Sequence, residues 1–187
     1  MINNTIYIVR KDFVMSERVK GFPPIIFEDS EVLLLGTLPG DKSLQQNFYY
    51  ADNKNYFWKF FNKYTGHQKP CNMDEVSKIL KETKIALWDM YDSGIRQNKQ
   101  GKKTSNDSDI RQAIWNDIPA LLANYPNIKR VGIMGKDPYK EFQKSYPFIN
   151  AVYLPSTSSS NGAKWGNPIE QSIGWKEFKD FIEQTSN

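Results

Sequence analysis

A chain of 187 residues and 21.7 kDa suits one domain, 1–187, with a buried core, and its 39% hydrophobic and 25% charged residues exclude the disordered and fibrous classes. One cysteine, Cys71, and one histidine exclude an intrachain disulfide framework and a usual Cys/His zinc site. The net charge of +4 is compatible with a polyanionic partner but too small to imply one without clustering. No apolar run approaches the roughly 20 residues of a membrane span, and residues 1–10 lack the apolar stretch of a signal peptide. The expectation is a soluble, cytoplasmic protein. Its aromatic content of 14% suits a core and also suits stacking on nucleobases.

The first element is a strand over 31–36, Glu31-Val32-Leu33-Leu34-Leu35-Gly36, a short apolar run of the kind buried on both faces of a parallel sheet. Helices are predicted over 56–64 and 74–82, then a strand over 84–88. Residues 97–107 carry no apolar side chain and hold Lys99, Lys102 and Lys103 around Gly101, which predicts an exposed basic loop. A helix over 110–124, split by Pro119, leads to a strand over 130–134, a helix over 138–145, a strand over 151–154 and a helix over 169–182. This alternation predicts an α/β sandwich around a four-stranded, mostly parallel sheet.

In such sheets ligands collect outside the carboxyl ends of the strands. The loop leaving the first strand reads Gly36-Thr37-Leu38-Pro39-Gly40-Asp41-Lys42-Ser43, where glycines permit tight turns and exposed N–H groups can receive an anion or a base edge. The loop leaving the last reads Leu154-Pro155-Ser156-Thr157-Ser158-Ser159-Ser160-Asn161-Gly162, rich in hydroxyls able to hold phosphate oxygens. Each is also an ordinary turn sequence. Between them lies a segment with Tyr49, Tyr50 and Asn55 ahead of Phe57, Trp58, Phe60 and Phe61. The latter four fall on helical spacing and predict core, and Asn55 fits a helix cap. Asp89 and Asp92 read as turn or helix caps before they read as a carboxylate pair.

The order Gly-Thr-Leu-Pro-Gly-x-x-Ser at 36–43, Tyr-Tyr-Ala at 49–51, Asn-x-Phe-Trp at 55–58 and Leu-Pro-Ser-Thr-Ser at 154–158 resembles the uracil-DNA glycosylase superfamily, and within it the hypoxanthine-DNA glycosylase branch. Supporting pieces are Gly-Phe-Pro-Pro at 21–24, Ala-Leu-Trp-Asp at 86–89 and Asn-Asp-Ser-Asp-Ile-Arg at 106–111. The resemblance spans about residues 20–180.

It implies a three-layer α/β/α sandwich and hydrolysis of the N-glycosidic bond of a deaminated base in DNA, by a monomer with no metal, organic cofactor or membrane. Within that implication Gly36, Thr37, Leu38, Pro39 and Gly40 line the base pocket with Tyr50 and Leu154, and Tyr50 stacks on the flipped base, with Tyr49 second. Asn55 orients the water or bonds the purine edge. Ser43, Ser156, Thr157, Ser158, Asn161, Lys102 and Lys103 contact DNA, with Lys99 and Arg96 as further phosphate candidates. The chain departs from the superfamily pattern at Leu38, where relatives carry an amide or acid, and at Leu154, where uracil-directed relatives carry His or Asn. Both departures favour hypoxanthine over uracil. A uracil or mismatch glycosylase of the same fold and a catalytically silent DNA- or nucleotide-binding member remain as alternatives.

Overall fold

The computed structural model describes residues 18–98, 100, 102, 104 and 107–183. The chain enters through a short strand, β1 (Arg18–Lys20), and then forms β2 (Val32–Gly36), whose five residues are all buried. A six-residue helix, α1 (Asp41–Gln46), follows, then α2 (Phe57–Thr65) and α3 (Met73–Glu82). Strands β3 (Ile85–Asp89) and β4 (Tyr91–Arg96) come next, and β5 (Ile110–Trp115) precedes α4 (Ile118–Asn124). The last part alternates β6 (Arg130–Met134), α5 (Lys136–Ser145), β7 (Ala151–Leu154) and α6 (Ile173–Glu183).

Strands β3, β2, β6 and β7, in that order, make a wholly parallel sheet. Side chains alternate across it, as the period of two requires. Val32, Leu34, Ile85 and Leu87 join one core with residues of α2, α3 and α6, while Leu33, Leu35, Ala86 and Ile133 join a second with Leu121 of α4 and Phe142 of α5. The result is an α/β fold in three layers. On the α2 side the packing is dense in rings: Phe60 meets Phe61, Tyr64, Trp165, Trp175 and Phe178 with centroids 5.0–6.3 Å apart.

Three predicted features change. Residues 110–115 are strand, not the first half of a helix, because they pair with β4 in a second, antiparallel sheet ordered β1-β4-β5. Cross-strand pairing overrides a spacing that fits either period. Pro119 does not split a helix; it lies in the first turn of α4, where no N–H is needed, behind Asp117, whose side chain accepts from the Ala120 N–H. Residues 41–43, read as part of the loop after the first strand, belong to α1, with Asp41 in the first turn and a left-handed Asn47 closing it. Among the described residues no helix is long and apolar enough to cross a membrane.

Candidate active site

At the carboxyl ends of β2 and β3, where the parallel sheet opens, lies a cavity of about 210 Å³. Its lining draws together residues far apart in the chain: 36–43 after β2, Tyr49, Tyr50 and Asn55 before α2, Asp89 at the end of β3, Met134 at the end of β6, and 156–158 after β7. Asp52, Arg96 and Asp107 complete it.

Asn55 stands at the entrance to α2. Its Oδ1 accepts from the Phe57 N–H at 2.9 Å, an Asx turn leading into α2, whose N-cap position is Tyr56 and not Asn55. Its Nδ2 has no hydrogen-bond partner among the described residues, and the side chain lines the cavity. The amide therefore keeps both N–H donors and a second Oδ1 lone pair for water or a base. Tyr50 holds φ at 54°, a left-handed conformation uncommon for a bulky residue. Its ring stacks on Phe57 with centroids 4.2 Å apart, and its hydroxyl lies 3.9 Å from Met134 Sδ. Tyr49 is more committed: it is buried, and its hydroxyl lies 3.3 and 3.2 Å from the Phe22 and Pro23 carbonyls. Trp58 Nε1 donates to the Tyr49 carbonyl at 2.8 Å, locking this segment onto α2.

Gly36 is required by space. A Cβ there would stand 2.6 Å from the Tyr50 hydroxyl and 2.7 Å from Asp89 Oδ1, closer than packing allows. Gly40 is not: a Cβ at 40 would meet nothing within 4 Å, so this position opens the cavity rim to a ligand. Leu38 lines the cavity beside Pro39, but its side chain runs towards Gly21 and Gly94 under the antiparallel sheet, and its carbonyl accepts from Arg96 at 2.8 Å. Thr37 Oγ1 donates to Asp107 Oδ1 at 2.7 Å, and Arg96 donates to the same oxygen at 3.0 Å. The Arg96 side chain is 2% exposed. It braces the 36–38 turn and is not presented to a phosphate.

Asp89 is the residue that sequence reasoning undervalued. It caps no helix and makes no pair with Asp92, which points to solvent and pairs with Lys20 at 3.5 Å. The side chain is buried, and its Oδ2 has no hydrogen-bond partner among the described residues. Loss of solvation, reinforced by the negative charge of Asp107 and opposed by Arg96, pushes its pKa up to about 8. At neutral pH it is mostly the neutral acid. Tyr49 and Tyr50 are also raised well above the phenol value, chiefly by burial and then by Asp89.

The loop after β7 is pinned from within. The Tyr56 N–H donates to the Thr157 carbonyl at 2.8 Å, tying this loop to the α2 entrance. Asn161 Nδ2 and Trp165 Nε1 both donate to the Ser156 carbonyl at 2.9 Å. Thr157 is buried, whereas Ser156 and Ser158 remain half-buried in the lining. Ser43 is buried in the lining too, and its Oγ accepts from the Ala51 N–H at 3.3 Å. Three named candidates lie outside the lining. Leu154 is 1% exposed, its Cδ1 filling the space a side chain at Gly132 would take. Asn161 is held to its own loop, and Lys102 is exposed on the basic loop. Lys103 and Lys99 lie outside the described residues.

Residues 23–179 match the family model of the uracil DNA glycosylase superfamily. The hypoxanthine DNA glycosylase of Methanosarcina barkeri is 31% identical over 84% of this chain and 96% of its own length. That of Methanosarcina acetivorans is 30% identical over 76% of this chain and 87% of its own. A solution NMR structure from Methanosarcina acetivorans, provisionally described as a uracil DNA glycosylase, superposes with a TM-score of 0.67 at 26% identity, covering 90% of this chain and all of that one. With most of its length matched and a cavity at the carboxyl ends of its parallel strands, this chain belongs to the uracil DNA glycosylase superfamily.

Proposed function

We propose that this protein removes hypoxanthine from deoxyinosine-containing DNA by hydrolysing the N-glycosidic bond, leaving an abasic site. The observation that carries this is the convergence, in one cavity, of the Asn55 amide, the Tyr50 ring, the Gly36–Gly40 turn and the Ser156–Ser158 loop. The activity named for the two Methanosarcina relatives agrees with it.

The mechanism follows from those parts. Extruding a nucleotide costs a few kcal/mol, least at a mispair, so a deoxyinosine opposite thymine is selected before any chemistry. Tyr50 offers the everted base a stacking surface, worth about 1–3 kcal/mol. The C1′–N9 bond then stretches towards an oxocarbenium-like sugar, and Asn55 holds the water that adds to C1′. An amide suffices for this because the developing cation, not a strong base, makes the water reactive. Ser156 and Ser158 at the rim fit flanking phosphate oxygens.

Uracil is the weaker substrate in this account. Leu38 and Leu154 carry no group that could bond a pyrimidine carbonyl, and both side chains are buried in the core. The test uses duplexes with a single deoxyinosine or deoxyuridine, incubated with protein, treated with alkali and resolved on a gel. Scission at deoxyinosine is expected. Faster scission at deoxyuridine would reverse the assignment, and scission at neither would reduce the protein to a binding module.

A further inference from the structure

We propose that Asp89, enclosed at the inner end of the cavity beside Gly36 and Tyr50, is the acid that protonates N7 of the departing purine. This rests on the hypoxanthine assignment above and adds to it the group that makes the base a good leaving group.

Three observations carry it. Asp89 lines the same cavity as Asn55 and Tyr50 but is supplied by a different element, the end of β3, beside the Tyr50 hydroxyl at Gly36. Its Oδ2 is buried and, among the described residues, unpartnered. A buried carboxyl oxygen left without a bond costs stability, which structures rarely tolerate without a use for it. Gly36 is the third: the absence of a side chain there leaves room for the carboxyl and the Tyr50 hydroxyl together.

The charge environment keeps the proton in place. Asp107, on the turn before β5, faces Asp89 with a negative charge, and Arg96 on β4 offsets it in part. Tyr49 and Tyr50, from the segment before α2, stay neutral because burial raises both. Burial is the largest influence on Asp89 itself and holds it as an acid up to about pH 8. A neutral carboxylic acid donates where a carboxylate can only accept.

The step balances as follows. The Asp89 proton passes to N7 while the C1′–N9 electron pair moves into the ring, and hypoxanthine leaves as its neutral N7–H form. Water adds to C1′ and sheds one proton to solvent, and Asp89 regains one from solvent. Purines suit this donor because N7 carries a basic lone pair away from the bond being broken, which uracil lacks.

The test is the pH dependence of single-turnover excision from a deoxyinosine duplex, for the wild type and Asp89→Asn. The wild-type rate should be level below about pH 8 and fall tenfold per pH unit above it. D89N should be about 10²- to 10⁴-fold slower at pH 7 and lose that alkaline limb. A D89N rate near wild type, with the same limb, would overturn the acid while leaving the hypoxanthine assignment intact. A wild-type protein inactive on deoxyinosine at every pH would overturn both. A second measurement needs no variant: a duplex with 7-deaza-deoxyinosine, where C–H replaces N7, should bind as deoxyinosine does and stay uncleaved. Cleavage within tenfold of the deoxyinosine rate would equally remove Asp89 from this role.

Discussion

The two walls of the cavity are built differently. The amide wall, Tyr50 and Asn55, comes from one short stretch anchored on α2 through the stack on Phe57 and the bond from the Phe57 N–H. The acid wall, Thr37, Asp89, Arg96 and Asp107, is gathered from β2, β3, β4 and the turn before β5, and Arg96 and Thr37 converge on one Asp107 oxygen. The amide wall is local: Asn55 can be changed with little effect on folding, whereas Tyr50 also packs on the core through Phe57. The acid wall is part of the fold, so changes there register in stability and pH dependence as well as in rate.

The largest effect belongs to the local wall. Asn55→Ala should slow excision by about 10²- to 10⁴-fold, while the lost bond from the Phe57 N–H costs only about 0.5–1.5 kcal/mol; rate and thermal melt measured together separate the two. Tyr50→Ala should weaken binding to deoxyinosine DNA by about 1–3 kcal/mol and leave binding to undamaged duplex unchanged, read by fluorescence anisotropy. Equal losses on both duplexes would move Tyr50 from the base to the backbone.

On the acid wall the expected signature is a stability that depends on pH. A carboxyl whose folded pKa is raised lets the folded state keep a proton that the unfolded state has lost. Stability should therefore fall as pH rises from about 4, the ordinary carboxylate value, through about 8, the folded value of Asp89, and level off above. Melts of Asp89→Asn should lack that contribution, so the variant gains on the wild type across this window. A constant difference between the two curves would mean that Asp89 ionises normally. The smallest effect is outside both walls: Lys102→Ala should lower the slope of log affinity against log salt by about 1, with the excision rate unchanged at low salt.

The contrast between the walls also explains what was legible in the sequence. The parallel sheet could be read because each of its strands is a continuous apolar run, and Asn55, Tyr50 and the 36–43 loop because they fall on motifs that resemble those of the uracil-DNA glycosylase superfamily. The antiparallel sheet could not. Ile110 and Ile114 fit a helical spacing as well as a strand, and only β4, 14 or more residues away at Arg96↔Ile110, decides between them. Asp89 is hidden for the same reason: an aspartate after a strand is usually a cap, and the burial and the Asp107 charge that raise its pKa come from other elements of the fold. Arg96, in a polar basic stretch, reads as a phosphate contact until β4 is seen to turn its side chain inward onto the Leu38 carbonyl.

The most direct measurement is release of the free base, followed by mass spectrometry, from a deoxyinosine·thymine duplex under single-turnover conditions by the wild type and Asn55→Ala side by side. The account predicts stoichiometric hypoxanthine from the wild type and a rate about 10²- to 10⁴-fold lower from the variant, which should still bind the duplex. No hypoxanthine from the wild type, or equal rates from the two proteins, would contradict it.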